Sequence, residues 1–120
     1  MAEVETFEEV FEKLYGEAWD VMMNRQKRYG PENIRKQGLH GVVTRIGEDK
    51  LSRIKNTLHG QVVAGEVVLD EMTADELAVA EDAFIDIANY AIICISLMRG
   101  VWGRPMKHEV SGVENAENRS

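Results

Sequence analysis

Apolar residues recur at helical spacing in three long stretches of the chain. Between residues 5 and 28, Phe7, Val10, Phe11, Leu14, Ala18, Val21 and Met22 fall three or four apart, with Glu8, Glu9, Glu12 and Lys13 filling the other side. Thr6 and Glu9 stand at capping-box spacing, the last turn is basic, and Tyr29-Gly30-Pro31 follows as a stop. A second helix is expected over 41–58, where Val43, Ile46, Leu51, Ile54 and Leu58 form a stripe broken around Gly47. The third, 73–99, begins with another Thr-x-x-Glu box at Thr73 and Glu76 and ends near Arg99-Gly100. From Ala83 to Met98 its apolar residues cover most of the circumference. Two neighbouring helices cannot cover so broad a face, which predicts an all-α bundle of three main helices completed by oligomerisation.

The connecting segments are polar or irregular. Residues 31–40 read as a loop with a short helical turn, and carry Glu32, Asn33, Arg35, Lys36 and Gln37. That stock of side chains suits either a solvated connector or a ligand-facing segment. Residues 59–72 hold two short β-favouring runs punctuated by Gly60 and Gly65, too short for dependable strands, so a flexible connector is expected. Residues 103–120 are polar and expected to be disordered, leaving 1–102 as a single domain.

Composition narrows the function classes. A net charge of −7 argues against general nucleic-acid binding, which needs a basic surface to neutralise phosphates. The acidic N-terminus lacks the basic region of a signal peptide, and the run from Ile85 to Met98 is too short and too interrupted to span a bilayer. Cys94, the single cysteine, permits no intrachain disulfide and reads as a small core residue in a reduced compartment. A cytosolic protein is expected.

The candidate chemistry lies in polar residues on the two later helices. Asp82, Asp86 and Asn89 interrupt the apolar third helix at i, i+4 and i+7, forming one column. Arg45, Asp49 and Arg53 repeat at i, i+4 and i+8 on the second, beside Glu48 and Lys50. If the two helices pack antiparallel, these sets share a groove. Should Glu48 and Asp49 turn toward Asp82 and Asp86, the clustered carboxylates call for a divalent cation such as Mg²⁺, with substrate phosphates completing its shell. Should Arg45 and Arg53 turn inward instead, the acids are neutralised by simple pairing. Lys27, Arg28, Arg35 and Lys36 add cations for phosphate charge. The three histidines sit in separate predicted loops without metal-ligand spacing, and no Gly-rich phosphate loop or G-x-S-x-G element is present.

The stretch KRYGPENIRKQGLHGVVTRIGEDKLSRIKN, followed by an acidic connector and EDAFIDIANYAIICI, resembles the nucleotide modification associated domain family, small all-α proteins of bacteria and phages. The resemblance covers about Arg25 to Val101 and is carried most specifically by Tyr29-Gly30, by Arg45, Asp49-Lys50 and Arg53, and by Asp82 with Asp86 to Ala91. That family is similar in outline to the all-α nucleoside triphosphate pyrophosphohydrolases of the MazG and dimeric dUTPase type, which bind Mg²⁺ through E-E-x-x-E and E-x-x-D helices. Glu48-Asp49 stands where E-E would, but Ser52 and Arg53 occupy the region of the third acid, and Ala83 stands three residues before Asp86, so that Asp82 must substitute.

The resemblance implies a Mg²⁺-dependent nucleotide pyrophosphohydrolase. Asp49, Glu48, Asp82 and Asp86 would hold metal, and Asp86, Asp82 or Glu81 would orient the attacking water. Arg45, Lys50, Arg53 and Lys27 would steady phosphates, while Asn89 and Tyr29 contact sugar or base. The missing acid and added arginines give the second expectation, a nucleotide-binding or sequestering oligomer without catalysis. A purely structural helical assembly, its acidic column paired to arginines, is the third expectation.

Overall fold

Two capping boxes set where the two longest helices begin. In the computed structural model, which describes residues 4–59, 62–63, 65–67 and 69–110, helix α1 runs Phe7–Tyr29 and helix α4 runs Ala74–Met98. Thr6 Oγ1 accepts the Glu9 N–H at 3.2 Å while Glu9 Oε2 accepts the Thr6 N–H at 3.1 Å. Thr73 and Glu76 repeat the reciprocal pair at 3.1 and 3.2 Å. Each box satisfies two of the N–H groups that a helix start leaves open. Helix α4 closes with the Gly100 N–H on Leu97 O and the Val101 N–H on Ser96 O, the paired bonds of a Schellman end. Both helices fall within two residues of the expected bounds.

The middle of the chain differs from expectation. In place of the expected loop with a short helical turn and one helix stand α2 (Glu32–Thr44), kinked at Gly38, then a π-helical turn (Arg45–Lys50) and α3 (Leu51–His59). Most of the segment read as loop is therefore helical. Glu32 suits the positive end of α2 and pairs with Arg35 one turn on at 2.6 Å. The period is interrupted at Gly38, whose φ of 67° and ψ of −178° bend α2 there, a left-handed backbone that glycine tolerates without Cβ strain. Farther on, Val62–Val63 and Glu66–Val67 form a two-residue antiparallel ladder, followed by a 3₁₀ turn at Leu69–Glu71. Residues 103–110 of the expected tail lie in the described structure, and 107–110 make a helical turn; residues 111–120 lie outside it.

Helix α4 is the central element, with α1, α2, the π turn and α3 all against it. Ala80, Ala83, Asp86 and Ile93 are its buried positions, and among the described residues Val42 of α2, Ile54 of α3 and Met72 are buried with them. Among the described residues the architecture is all-α apart from the short ladder. Among the described residues, no helix is long and apolar enough to cross a membrane.

Helix α1 meets α4 through its second half. Asn89 Nδ2 donates to Ala18 O at 3.0 Å, and Arg25 reaches Asp86, which fixes an antiparallel approach. No residue of α1 is buried; Phe7 is 70% and Trp19 62% exposed, and Phe11, Leu14 and Tyr15 are exposed with them.

Candidate functional site

The π turn decides which charges face the bundle. Its closing bond runs from the Leu51 N–H to Ile46 O, i→i+5 rather than i→i+4. A π turn holds one more residue than an α turn, so the residue aligned with position 45 becomes 50 instead of 49. Arg45 and Lys50 accordingly line one cavity together, while Glu48, Asp49, Ser52 and Arg53 line a separate, open groove. The Arg45–Asp49–Arg53 ladder expected from α-helical spacing is split. Arg53 keeps Asp49 at 3.9 Å, both half exposed, a pair worth a few tenths of a kcal/mol at most.

The cavity has a volume of about 670 Å³, within the range of small-molecule sites. Its charged centre is Asp86, 5% exposed. Arg25 Nη1 lies 2.5 Å from Asp86 Oδ1, and Lys50 Nζ lies 2.9 Å from Oδ2. A carboxylate so buried needs cations beside it, and here it has two. The Arg25 contact is one of charge only: it lacks hydrogen-bond alignment, and buried Oδ1 has no hydrogen bond. Lys50, its side chain 12% exposed, is itself largely withdrawn from water.

One turn after Asp86, the Tyr90 hydroxyl accepts a 3.4 Å hydrogen bond from Arg45 Nη1. That bond, with the charge interaction behind it, raises the Arg45 pKa further above its ordinary value despite some burial. Arg45 is thus a permanent cation on the wall. Lys36 of α2 lines the cavity too, and among the described residues neither Arg45 nor Lys36 has an ion pair. Four cationic liners, Arg25, Lys36, Arg45 and Lys50, surround one carboxylate, so the cavity carries excess positive charge in a chain whose net charge is −7. Tyr29, Tyr90 and Trp102 supply aromatic surface, and Gln26, Asn33, Gln37 and Asn89 supply amides.

Of the residues singled out in the sequence, Arg45, Lys50, Asp86, Asn89 and Tyr29 are brought to this cavity, with Asn33, Lys36 and Gln37 of the 31–40 segment. Asn89 commits an amide N–H to α1, as a packing residue would. Glu48, Asp49 and Arg53 line the outer groove. Asp82, Glu81 and Lys27 are exposed and line neither. The residues present do not fit the Mg²⁺ site expected of them. Asp86 faces Arg25 and Lys50, Glu48 and Asp49 line the other groove, Asp82 one turn before Asp86 is exposed, and no group of three His, Cys, Asp or Glu side chains suited to a metal occurs among the described residues.

Arg25, Tyr90 and Trp102 are site residues to which sequence reasoning assigned no role in the site, although Trp102, expected to fold back onto the bundle, does so. Arg25 had a readable signal: the apolar stripe of α1 continues through Ala18 and Met22 into Arg25, Gln26 and Tyr29, polar groups at core-facing positions. Trp102 comes from the segment after α4, where no periodicity places it. Comparison of the chain with protein-family models, curated proteins and solved structures returned no match.

Proposed function

We propose that this chain binds an anionic small molecule of the nucleotide class in the α1–α2–α4 cavity, through cationic side chains rather than through a metal bridge. The observation that carries this reading is the charge pattern of the cavity. Its one carboxylate is already engaged by Arg25 and Lys50, while Arg45 and Lys36 remain for a ligand's negative charge. Guanidinium and ammonium groups suit phosphate oxygens, and aromatic and amide groups beside them suit a base. Of the activities implied by the family resemblance, binding or sequestration follows most directly from this arrangement. Pyrophosphate hydrolysis would require a second carboxylate beside Asp86, and rests on the resemblance alone.

Calorimetric titration with nucleoside mono-, di- and triphosphates, with and without EDTA, tests this reading. Binding that persists in EDTA, with no new phosphate species after long incubation, is the expected result. Binding that depends on Mg²⁺, or release of pyrophosphate, would return the hydrolase reading to first place. A failure of every nucleotide to bind would leave a structural assembly as the surviving role.

A second copy of this chain is the proposed cover for α1. Phe7, Phe11, Leu14, Tyr15 and Trp19 form an exposed apolar run on a helix without one buried residue, and Phe7 stacks on Phe11 at 4.3 Å. Aromatic side chains bury ~150–250 Å² each. Such a run therefore supplies several hundred Å² per copy, on the order of the ~800 Å² per partner that stable interfaces use. Light scattering after size exclusion should give at least a dimer at about 50 μM, a usual working concentration for μM-range association, and a monomer for Phe11→Glu. A monomeric wild type would overturn the assignment.

A further inference from the structure

Trp102 lies four residues beyond the end of α4, in a segment that the helical pattern leaves unassigned, yet it is held in a defined place. Its indole Nε1–H donates to Pro31 O at 3.1 Å, across the junction of α1 and α2. The next residue, Gly103, has φ 93°, and a Cβ there would come within 2.9 Å of Arg35 Cζ. The chain after α4 thus passes over the first turn of α2, at a point where the positive φ favours glycine and an added Cβ would displace the Arg35 guanidinium.

This anchoring gives the cavity two unlike ends. Pro31 is two residues from Tyr29, so the bond to Pro31 brings Trp102 to the Tyr29 side. Arg25 lies one helical turn before Tyr29 and meets Asp86, which is joined to Lys50; Arg45 is tied to Tyr90, one turn from Asp86. Tyr29 and Trp102 therefore lie toward one end of the cavity and the Arg25–Asp86–Lys50 group toward the other, about one turn of α1 (~5–6 Å) along that helix. Tyr90 stands beside Arg45, and Lys36 is on the α2 wall. One turn is a separation over which a nucleoside phosphate changes from planar ring to anion.

We infer that Trp102 is a ligand-contacting residue that takes the base of a nucleotide by stacking, with Arg45 and Lys50 at its phosphates; this rests on the nucleotide reading above and gives it a direction. A base on the indole face gains sequence-tolerant stacking, worth roughly ten- to a hundredfold in affinity. The anchoring bond to Pro31 O engages the ring edge and not a ring face, and Trp102 lines the cavity.

The test compares inorganic tripolyphosphate with the four common nucleoside triphosphates by calorimetry. Wild type should bind the best nucleoside triphosphate about tenfold or more tighter than tripolyphosphate. Trp102→Leu should erase that ratio by weakening the nucleotide alone, and Trp102→Phe, which keeps a stacking face but loses the indole N–H, should restore most of it. Equal loss for both ligands would mean that Trp102 only packs, and would overturn the inference. So would an unchanged ratio in Trp102→Leu. Wild type that binds both ligands equally would defeat this inference but not the anion-binding reading, whereas binding of neither would defeat both. A second measurement needs no change at Trp102. In a Trp19→Phe background, its fluorescence should respond to nucleotide and not to tripolyphosphate, and no response to either, with binding confirmed, would contradict the stacking.

Discussion

The inner and outer sides of the α2–π–α3 rod carry the same kinds of charge and put them to different use. Inside, Lys50 meets a buried carboxylate at 2.9 Å and stands with Arg45 in an enclosed cavity. Outside, Arg53 meets Asp49 at 3.9 Å in an open groove, with both side chains half in water. Position 45 aligns with 50 only because the turn between them closes i→i+5. One residue of register thus separates a desolvated, high-energy pairing from a screened one. The lesson concerns reading helices by period: where a π turn intervenes, the residue facing a site is the neighbour of the one that α-helical spacing selects.

The contrast should break most visibly at Asp86. Asp86→Asn leaves Lys50 and Arg25 without their counter-charge and is expected to cost about 3 kcal/mol of unfolding free energy in a urea titration. That corresponds to a fall of roughly 10–20 °C in Tm. Asp82→Asn, one turn away and exposed, should change stability by less than about 0.5 kcal/mol. Equal effects at the two positions would show that the inner pair is not the buried one. Next in size, double-mutant cycles should give a coupling of about 2 kcal/mol between Lys50 and Asp86, against no more than about 0.5 kcal/mol between Arg53 and Asp49.

Deleting Gly47 sharpens the register argument. Removing one residue from the π turn converts it to an α turn and keeps Arg45 aligned with Lys50, so circular dichroism and ligand affinity should be close to wild type. Were the segment an ordinary α-helix, the same deletion would turn α3 by about 100° and disrupt its packing on α4. The smallest effect is expected for Gly16→Ala. An added Cβ meets nothing within 4 Å there, and the exchange in a helix interior should stabilise by about 0.5–1 kcal/mol in the same urea assay.

Much of the fold was legible because local signals and tertiary roles agree. Thr6 with Glu9 and Thr73 with Glu76 cap the helices that their spacing foretold. The apolar breadth of the third predicted helix matches the central place of α4, although Phe84, Ile92 and Met98 remain exposed on a single chain. The helix over 32–37 was expected only as a short turn, its extent hidden by polar composition and by Gly38, whose bend interrupts the period. In the site, Asp86 was legible as a carboxylate on an apolar helix, and Arg45 and Lys50 as cations near it. Their alignment was not, because nothing in Arg45–Lys50 as a string of residue types distinguishes a π turn from an α turn. Trp102 was illegible for a different reason: its position depends on a bond to Pro31, 71 positions away in sequence.

The central claim is that the inward cations, and not the outward acids, hold the ligand. It is tested most directly by the dissociation constants of Arg45→Ala and Asp49→Ala for the best-binding nucleoside triphosphate, measured in EDTA. Arg45 touches only the Tyr90 hydroxyl among the described hydrogen bonds, so its removal should spare the fold. At least about tenfold weaker binding is expected for Arg45→Ala, from loss of a charge-assisted contact, and wild-type affinity for Asp49→Ala. Wild-type affinity in Arg45→Ala, together with loss of a Mg²⁺-dependent affinity in Asp49→Ala, would contradict that claim.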